Sequence, residues 1–113
     1  MITSLTNLLD ALKNETANFV EVIAFIEKDY KHTPTAFKNA ETYNEKTQNQ
    51  GSAKVFAYAK LNNLSEADTL LLFAEHYQAV LADPNGKDHQ NIRQFMQHGW
   101  AGISFEGEAL KTK

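Results

Sequence analysis

The segment DHQNIRQFMQHGW, residues 88–100, brings together side chains that could do chemistry. Asp88, His89 and Arg93 supply a carboxylate, an imidazole and a guanidinium within the first turns of a predicted helix. Because His89, Arg93 and Gln97 recur at intervals of four, they share one helix face. Such a face could bind a carboxylate or a phosphate, or it could transfer a proton. In the structural alternative, Asp88 caps the helix and Arg93 forms hydrogen bonds with the polar loop at residues 39–50.

The histidine spacing argues against a metal site. None of the four histidines lies four residues from another, the interval that presents two imidazoles on one helix face. The sequence therefore predicts no metal and no cofactor, and it leaves a zinc site built from His76 with Asp88 or Glu75 as a minor alternative. The chain has no cysteine, which excludes disulfides, thiolate nucleophiles and cysteine-ligated metal centres.

Ser52 lies in the stretch NQGSAK, which opens a predicted helix. The stretch lacks the spacing of a phosphate-binding P-loop and the strand that would precede one. We therefore interpret Ser52 as the N-cap of the helix. An anion held at this helix start, with Lys54 assisting, is the alternative.

Composition and charge exclude several classes of protein. The 113 residues are 42% hydrophobic and 22% charged, as expected of an ordinary globular domain. A net charge of -3 without a cluster of basic residues predicts neither a nucleic-acid surface nor a membrane-binding patch. No apolar run is long enough to span a bilayer, and the N-terminus lacks the features of an export signal. The expected compartment is therefore the cytoplasm.

Helical periodicity of the apolar residues predicts about five helices. Their approximate ranges are residues 2–14, 16–30, 52–63, 65–81 and 88–98. The predicted N-caps are Thr3 or Ser4, Thr16, Ser52, Ser65 and Asp88. The third helix is apolar nearly all round, so we expect it at the centre of the core. In the last helix, Ile92, Phe95 and Met96 should face the core and Gly99 should end the helix.

Extended segments at residues 32–38 and 102–106 are expected to pair as a two-stranded ribbon. Pro34 restricts the first of them to a sheet edge or to a strand start, because proline cannot donate a ladder hydrogen bond. Residues 39–51 are polar and are expected to form a loop, and DPNG at 83–86 is expected to form a turn. The predicted fold class is α+β, mostly helical.

Three stretches of the chain resemble the HopJ family, which is named for a type III secreted effector of plant-pathogenic bacteria. They are HTPTAFKNAETYN (32–44), GSAKVFAYAKLNNLS (51–65) and DHQNIRQFMQHGWAGISF (88–105). The resemblance implies one small domain over residues 1–113, occurring in many Gram-negative bacteria, with no established enzymatic activity. It also implies a glycine after Asn39, where this chain has Ala40, and often a cysteine at the position of Ala53.

The candidate ligand-binding residues lie within these three stretches. They are His32, Thr35, Asn39, Asn44, Ser52, Lys54, Asp88, His89, Asn91, Arg93 and Trp100. Most of them come from residues 32–44 and 88–100, which are expected to form the recognition surface. Trp100 either lines a pocket beside His32 or packs on the ribbon.

Three functions are compatible with these residues. The first is a HopJ-like binding module for a small polar or anionic ligand, or for a protein partner, without nucleic acid or membrane among its partners. The second is a small enzyme in which His89 or His32 is the general base and Arg93 clamps an anion. The third is a structural protein without a ligand. The resemblance also implies type III secretion, although the apolar stripe starts at Ile2, so a conventional flexible leader is not expected.

Overall fold

Short strands alternate with helices along residues 4–113, the part of the chain that the computed structural model describes. The helices in this part are α1 (Leu5–Lys13), α2 (Phe19–Asp29), α3 (Gln50–Leu61), α4 (Glu66–Leu71), α5 (Glu75–Ala82) and α6 (Gln90–His98), followed by a 3-10 helix (Gly99–Gly102). The strands are β1 (Tyr30–His32), β2 (Phe37–Asn39), β3 (Thr42–Asn44), β4 (Ile103–Phe105) and β5 (Leu110–Thr112). The predicted fold class, α+β and mostly helical, is confirmed. Ile2 and Thr3, which the first predicted helix and its cap included, lie outside the described residues.

Helix α3 lies at the centre of the core, as its apolar surface predicts. Val55 and Phe56 are fully buried, each with 0% of its surface exposed. The centroid of the Phe56 ring lies 6.0 Å from that of Phe37 in β2, 5.3 Å from that of Phe73 and 5.0 Å from that of Phe95 in α6. Aromatic pairs at these separations stabilise a core beyond the area that they bury. Helix α3 therefore joins the helices to the sheet.

The predicted ribbon forms one side of a three-stranded antiparallel sheet with the order β3-β2-β4. Strands β2 and β4 pair Phe37 with Phe105 and Asn39 with Ile103, so the two segments that the sequence pairs do meet. The stacked rings of Phe37 and Phe105 lie 5.3 Å apart between centroids. The sheet turns this apolar face toward α3.

A second antiparallel sheet joins β1 to β5, and the sequence analysis did not predict it. Its register sets His32 opposite Leu110. Pro34 accounts for the separation of β1 from β2, because it has no N–H to donate and keeps Thr33 out of the helical region. The chain therefore leaves one sheet before this proline and enters the other after it.

Strand β3 corrects the prediction that residues 39–51 form only a loop. Asn39 pairs with Thr42 across a turn of two residues. The first of them, Ala40, has a φ of 53°, the left-handed conformation that the tight turns of hairpins require. The polar composition concealed the strand, because its inward residue Asn44 is buried by hydrogen bonds rather than by apolar contacts.

The helix predicted over residues 65–81 is divided into α4 and α5. Ala74 interrupts it with a φ of 52° and a ψ of -125°. A residue other than glycine adopts such a conformation at a cost of about 1–3 kcal/mol. Apolar periodicity continues across the break and gives no sign of it. The division raises the number of α-helices in residues 4–113 to six.

Two of the predicted N-caps are confirmed and one is displaced by two residues. The side chains of Ser4 and Ser65 cap α1 and α4 by accepting hydrogen bonds from backbone N–H groups. At α2 the cap is Asn18 rather than Thr16. Asn18 and Glu21 form a complete capping box, in which each side chain accepts from the backbone of the other residue.

Helices α3 and α6 begin without a side-chain cap, which corrects two further predictions. The residue before α3 is Asn49 rather than Ser52, and the residue before α6 is His89 rather than Asp88. Both are left-handed, with φ and ψ of 49° and 41° at Asn49 and of 50° and 48° at His89. Ser52 lies inside the first turn of α3, and the Asp88 carboxylate bonds a side chain instead of the helix backbone.

Helix α6 buries a narrower face than its apolar residues predict. Ile92 and Phe95 are 2% and 1% exposed, whereas Met96 is 44% exposed. The prediction that Met96 faces the core is therefore wrong, because the buried face of α6 consists of Asn91, Ile92 and Phe95 and is turned away from Met96 by the buried asparagine. Gly99 ends the helix with a φ of 59°, as predicted.

We predict that Ala40→Gly stabilises the protein. Alanine in the left-handed region costs about 1 kcal/mol relative to glycine, so the substitution should raise the free energy of unfolding by about that amount. The measurement is urea denaturation at neutral pH. Ala79→Gly, at an exposed position within α5, is the control and should lower stability by about 1 kcal/mol. A variant at position 40 that is less stable than the parent would contradict the assigned turn.

Candidate functional site

The starts of four helices border one cleft, which we call the histidine cleft. Its volume is about 320 Å³. The lining residues are Phe19, Asn49, Gly51, Ser52, Phe73, His76, His89, Gln90, Asn91 and Ile92. Four other cavities of 220 to 320 Å³ lie elsewhere in the described part of the chain, and no histidine lines any of them. Among these five cavities, the histidine cleft is therefore the one whose walls combine apolar side chains with imidazoles.

Two imidazoles lie side by side in the histidine cleft. The ring centroids of His76, in the first turn of α5, and His89, before α6, are 5.2 Å apart with the planes inclined at 38°. The Phe19 ring packs edge-on against His76 with its centroid 4.9 Å away. Because of the break at Ala74, α5 begins at Glu75, and this start sets the position of His76 in the cleft wall.

The two uncapped helix starts supply backbone donors to the same cleft. Within residues 4–113, the N–H groups of Gln50, Gly51 and Ser52 in α3 have no intramolecular acceptor. The same holds for those of Gln90 and Asn91 in α6. Free N–H groups at a helix start carry partial positive charge and are satisfied by water or by anions. This arrangement gives one end of the cleft several hydrogen-bond donors.

A network of buried asparagine side chains lies behind the histidine cleft. The Asn39 Nδ2 group donates to the Asn91 backbone oxygen at 2.8 Å and to its Oδ1 at 3.1 Å. Asn44 and Asn91 exchange two amide hydrogen bonds, of 3.1 and 2.9 Å. Asn49 Nδ2 donates to Asn44 Oδ1 at 2.7 Å. These bonds fix the start of α6 to the β2–β3 hairpin and to the residue that precedes α3.

Arg93, the only arginine of the chain, is occupied by the turn that precedes α6. Its Nε donates to the Asp88 backbone oxygen at 2.6 Å, and one terminal nitrogen donates to Asp88 Oδ1 at 2.7 Å. The other terminal nitrogen donates to the backbone oxygens of Asp83 and Pro84 at 2.9 and 3.3 Å. The guanidinium also lowers the pKa of the Asp88 carboxyl below its ordinary value. Arg93 thus bonds the 83–88 segment, not residues 39–50.

His32 bonds the first residue of α3 and does not line the histidine cleft. Its Nε2 lies 3.1 Å from Gln50 Oε1, which also accepts from the Thr35 N–H at 3.0 Å. Because an amide oxygen only accepts, Nε2 carries the proton. Burial lowers the pKa of His32 below its ordinary value of 6.5, and nearby Lys54 lowers it further. Lys54 itself pairs with Glu27 at 2.9 Å.

Trp100 contacts the core and α4 rather than the ribbon or His32. Its indole Nε1 donates to the Leu64 backbone oxygen at 3.2 Å. Its ring centroid lies 5.1 Å from that of Phe95 and 6.4 Å from that of Phe56. The tryptophan borders a different cavity, formed with residues of α3 and the segment that follows it.

The predicted site residues are therefore divided among several environments. Ser52, His89 and Asn91 line the histidine cleft, and Asn39 and Asn44 support it from behind. The remaining predicted residues, which bond or pack elsewhere, are His32, Thr35, Lys54, Asp88, Arg93 and Trp100.

Sequence reasoning missed several lining residues of the histidine cleft. They are Phe19, Asn49, Gly51, Phe73, His76, Gln90 and Ile92. His76 was considered only as a metal ligand, because the break that positions it leaves no mark on the apolar pattern. The asparagine before Gln50 could have signalled a left-handed cap, since asparagine tolerates that conformation better than most residues. In residues 4–113 no group of three or more His, Asp or Glu side chains could hold a metal ion.

The profile of the HopJ type III effector protein matches residues 5–110, and the chain belongs to this family. A solved crystal structure, of the unknown function protein VPA0580, is 45% identical in sequence and has a TM-score of 0.88. The match covers 100% of this chain and 97% of that one. No curated protein matches the chain significantly. Within the described residues, no helix is both long and apolar enough to cross a membrane.

We predict that Arg93→Ala destabilises the protein by about 1–3 kcal/mol, because backbone oxygens and the Asp88 carboxylate lose their donor. Arg93→Lys should recover only part of the loss, since an ammonium group cannot reproduce the planar fork. The free energy of unfolding from urea titration is the measurement. Lys87→Ala, at an exposed position in the same segment, is the control and should change stability little. Equal stability of the two alanine variants would contradict the structural role of Arg93.

We also predict that His32 makes the protein less stable in acid. Its pKa is lowered in the folded state, so the unfolded chain binds the proton more readily. Stability is therefore full above the unfolded value of 6.5 and falls as the pH drops from there toward the lowered folded value. Urea denaturation at pH 7.5 and pH 5.5 should show a smaller loss for His32→Gln than for the parent.

The control for this titration is His98→Gln, because His98 is exposed at the end of α6. This variant should retain the loss of stability that the parent shows in acid. Identical pH dependence in the parent and in His32→Gln would contradict the role of burial at His32.

Proposed function

We propose that this HopJ-family chain is a small binding module that holds an anionic ligand in the histidine cleft. The observation that carries the proposal is the pair of imidazoles, His76 and His89, 5.2 Å apart in one cavity wall. The cavity of about 320 Å³ lies at the small end of the range typical for ligand sites, about 300–1,000 Å³. A ligand of a few heavy atoms with one charged group suits this volume.

The other walls of the cleft favour an anion over a cation. Among the described residues that line it there is no carboxylate, although the chain as a whole has a net charge of -3. The starts of α3 and α6 add free backbone donors, and the Ser52 hydroxyl is a further donor in the wall, whereas the Gln90 amide already donates to the Lys87 backbone oxygen. Phe19, whose ring lies beside Gly51 at the start of α3, supplies an apolar surface in the same cleft, which would accept a ring or a short alkyl part.

The geometry gives less support to the enzyme alternative. That alternative requires Arg93 to clamp an anion beside His89 or His32. The donors of Arg93 are already bonded to the turn before α6, and His32 bonds Gln50 away from the cleft. Binding therefore accounts for more of the arrangement than acid–base catalysis does. Type III secretion of this chain is a proposal that rests on the family alone.

The proposed site is tested by titrating the ¹⁵N-labelled protein at pH 6.5 with inorganic phosphate, phenyl phosphate and phenol. We expect both phosphates to shift the backbone amides of residues 50–52 and 90–91. Phenol, which has no anionic group, should leave them unchanged. His76→Gln should weaken phosphate binding roughly tenfold, as expected for the loss of one charge-assisted hydrogen bond.

The matched control for this test is His98→Gln, which removes an exposed imidazole from the far end of α6. It should bind phosphate as the parent does. Amide shifts scattered over the surface would place any anion site outside the histidine cleft. Equal phosphate affinities of the His76 and His98 variants would lead to the same conclusion.

A further inference from the structure

The contact between His76 and His89 depends on their charge. The imidazoles belong to different elements, α5 and the residue before α6, and their centroids are 5.2 Å apart. At this separation two neutral rings, or one neutral and one protonated ring, pack without penalty. Two protonated rings repel each other unless an anion lies between or beside them. Protonation of both imidazoles therefore depends on whether an anion is bound in the cleft.

The carboxylates near the pair are already bonded to other groups. Asp88 Oδ2 lies 3.9 Å from His89 Nε2, but Asp88 Oδ1 accepts from Arg93 at 2.7 Å. On the other side, the Glu75 carboxylate accepts the Phe19 N–H at 2.7 Å. The charge of Asp88 is thus paired with Arg93, whereas Glu75 keeps its charge but lines a different cavity.

The remaining elements bring no further charge to the pair. Helix α3 contributes only uncharged residues to the cleft wall, and its Lys54 pairs with Glu27 of α2. The described residues that line the histidine cleft therefore include no carboxylate, and Asp88, behind His89, is already paired with Arg93.

We infer that the histidine cleft binds a tetrahedral oxyanion together with protons on His76 and His89, so that the affinity rises as the pH falls. This inference rests on the proposed function and specifies the ligand and its regulation. The protons come from the solvent, and the anion supplies the counterion that the cleft lacks. Release follows when the pH rises, because neutral imidazoles no longer attract the anion and one nitrogen of each becomes an acceptor.

The shared chemistry of the ligand is a sulfate-like or phosphate-like group, either free or as an ester. The Phe19 ring, packed against His76, borders the position beside the imidazoles. An ester with a small ring could use this surface, whereas a free ion could not. A free ion and an ester should therefore bind with different affinities, although both form the same bonds to the imidazoles.

The test is calorimetric titration of the intact chain with inorganic sulfate and with phenyl sulfate at pH 5.5 and pH 7.5. The charge of each probe stays constant between pH 5.5 and pH 7.5, so any pH dependence of the affinity arises from the protein. Each proton taken up with the anion weakens binding by as much as about tenfold per pH unit, so we expect weaker binding at pH 7.5, with a steeper loss for two linked protons than for one. Titrations in two buffers of different ionisation enthalpy give the number of protons taken up by the parent protein directly.

Variants of the two histidines show how many of the protons each imidazole takes up. His89→Gln should reduce the proton uptake to that of one group, and the double variant with His76→Gln should abolish it. His98→Gln is the control and should behave as the parent does. If the double variant fails to fold, the proton count on the parent still decides the inference.

The outcomes distinguish the inference from the proposed function. Tighter binding at pH 5.5 with uptake of one to two protons supports both. Equal affinity at the two pH values, without proton uptake, overturns the inference and leaves the anion site in place. Failure of both sulfate probes to bind at either pH overturns the inference and the proposed function together. Tighter binding of phenyl sulfate than of sulfate identifies an ester, and equal binding identifies the free ion.

Discussion

Buried amide groups must find hydrogen-bond partners, and this requirement governs how the chain is arranged around the histidine cleft. Asn39, Asn44 and Asn91 are 0%, 1% and 5% exposed and bond one another across β2, β3 and α6. Asn49 joins the same network through its side chain, so that side chain does not cap α3. At α6, the His89 ring packs on His76 and likewise leaves the helix start uncapped. The asparagine network, in which Asn39 Oδ1 is left without a partner, therefore accounts for the uncapped start of α3, and the contact between the imidazoles accompanies that of α6.

Left-handed residues other than glycine occur where the cleft is built. Asn49 and His89 precede the two helices that open into it, and Ala74 begins the helix that carries His76. Each such residue costs stability, so the surrounding contacts must compensate for it. At Asn49 the compensation is visible as the 2.7 Å bond to Asn44, and at His89 as the ring contact with His76. Three of the six residues other than glycine with a positive φ in residues 4–113 thus lie at the proposed binding surface, whereas Glu15, Ala40 and Asn63 lie elsewhere.

The sequence predicted those parts of the fold that depend on apolar periodicity. It placed α3 in the core and paired β2 with β4, because Phe56, Phe37 and Phe105 follow helical or alternating patterns. It failed where hydrogen bonding decides the conformation. Strand β3 was hidden because Asn44 is buried among amides, and the helix break at Ala74 leaves the apolar pattern unchanged. The candidate site was therefore predicted only in part, and the missing imidazole came from the unrecognised break.

The three stretches that resemble the HopJ family meet at this one place in the structure. The first contributes Asn39 and Asn44, the second begins at the start of α3, and the third contributes His89 and Asn91. The same stretches also contain Arg93 and Trp100, whose bonds hold the turn before α6 and the core. The stretches that identify the family therefore contain residues of the scaffold as well as residues of the cleft. His76 lies outside all three stretches, so family resemblance and ligand chemistry need not coincide residue by residue.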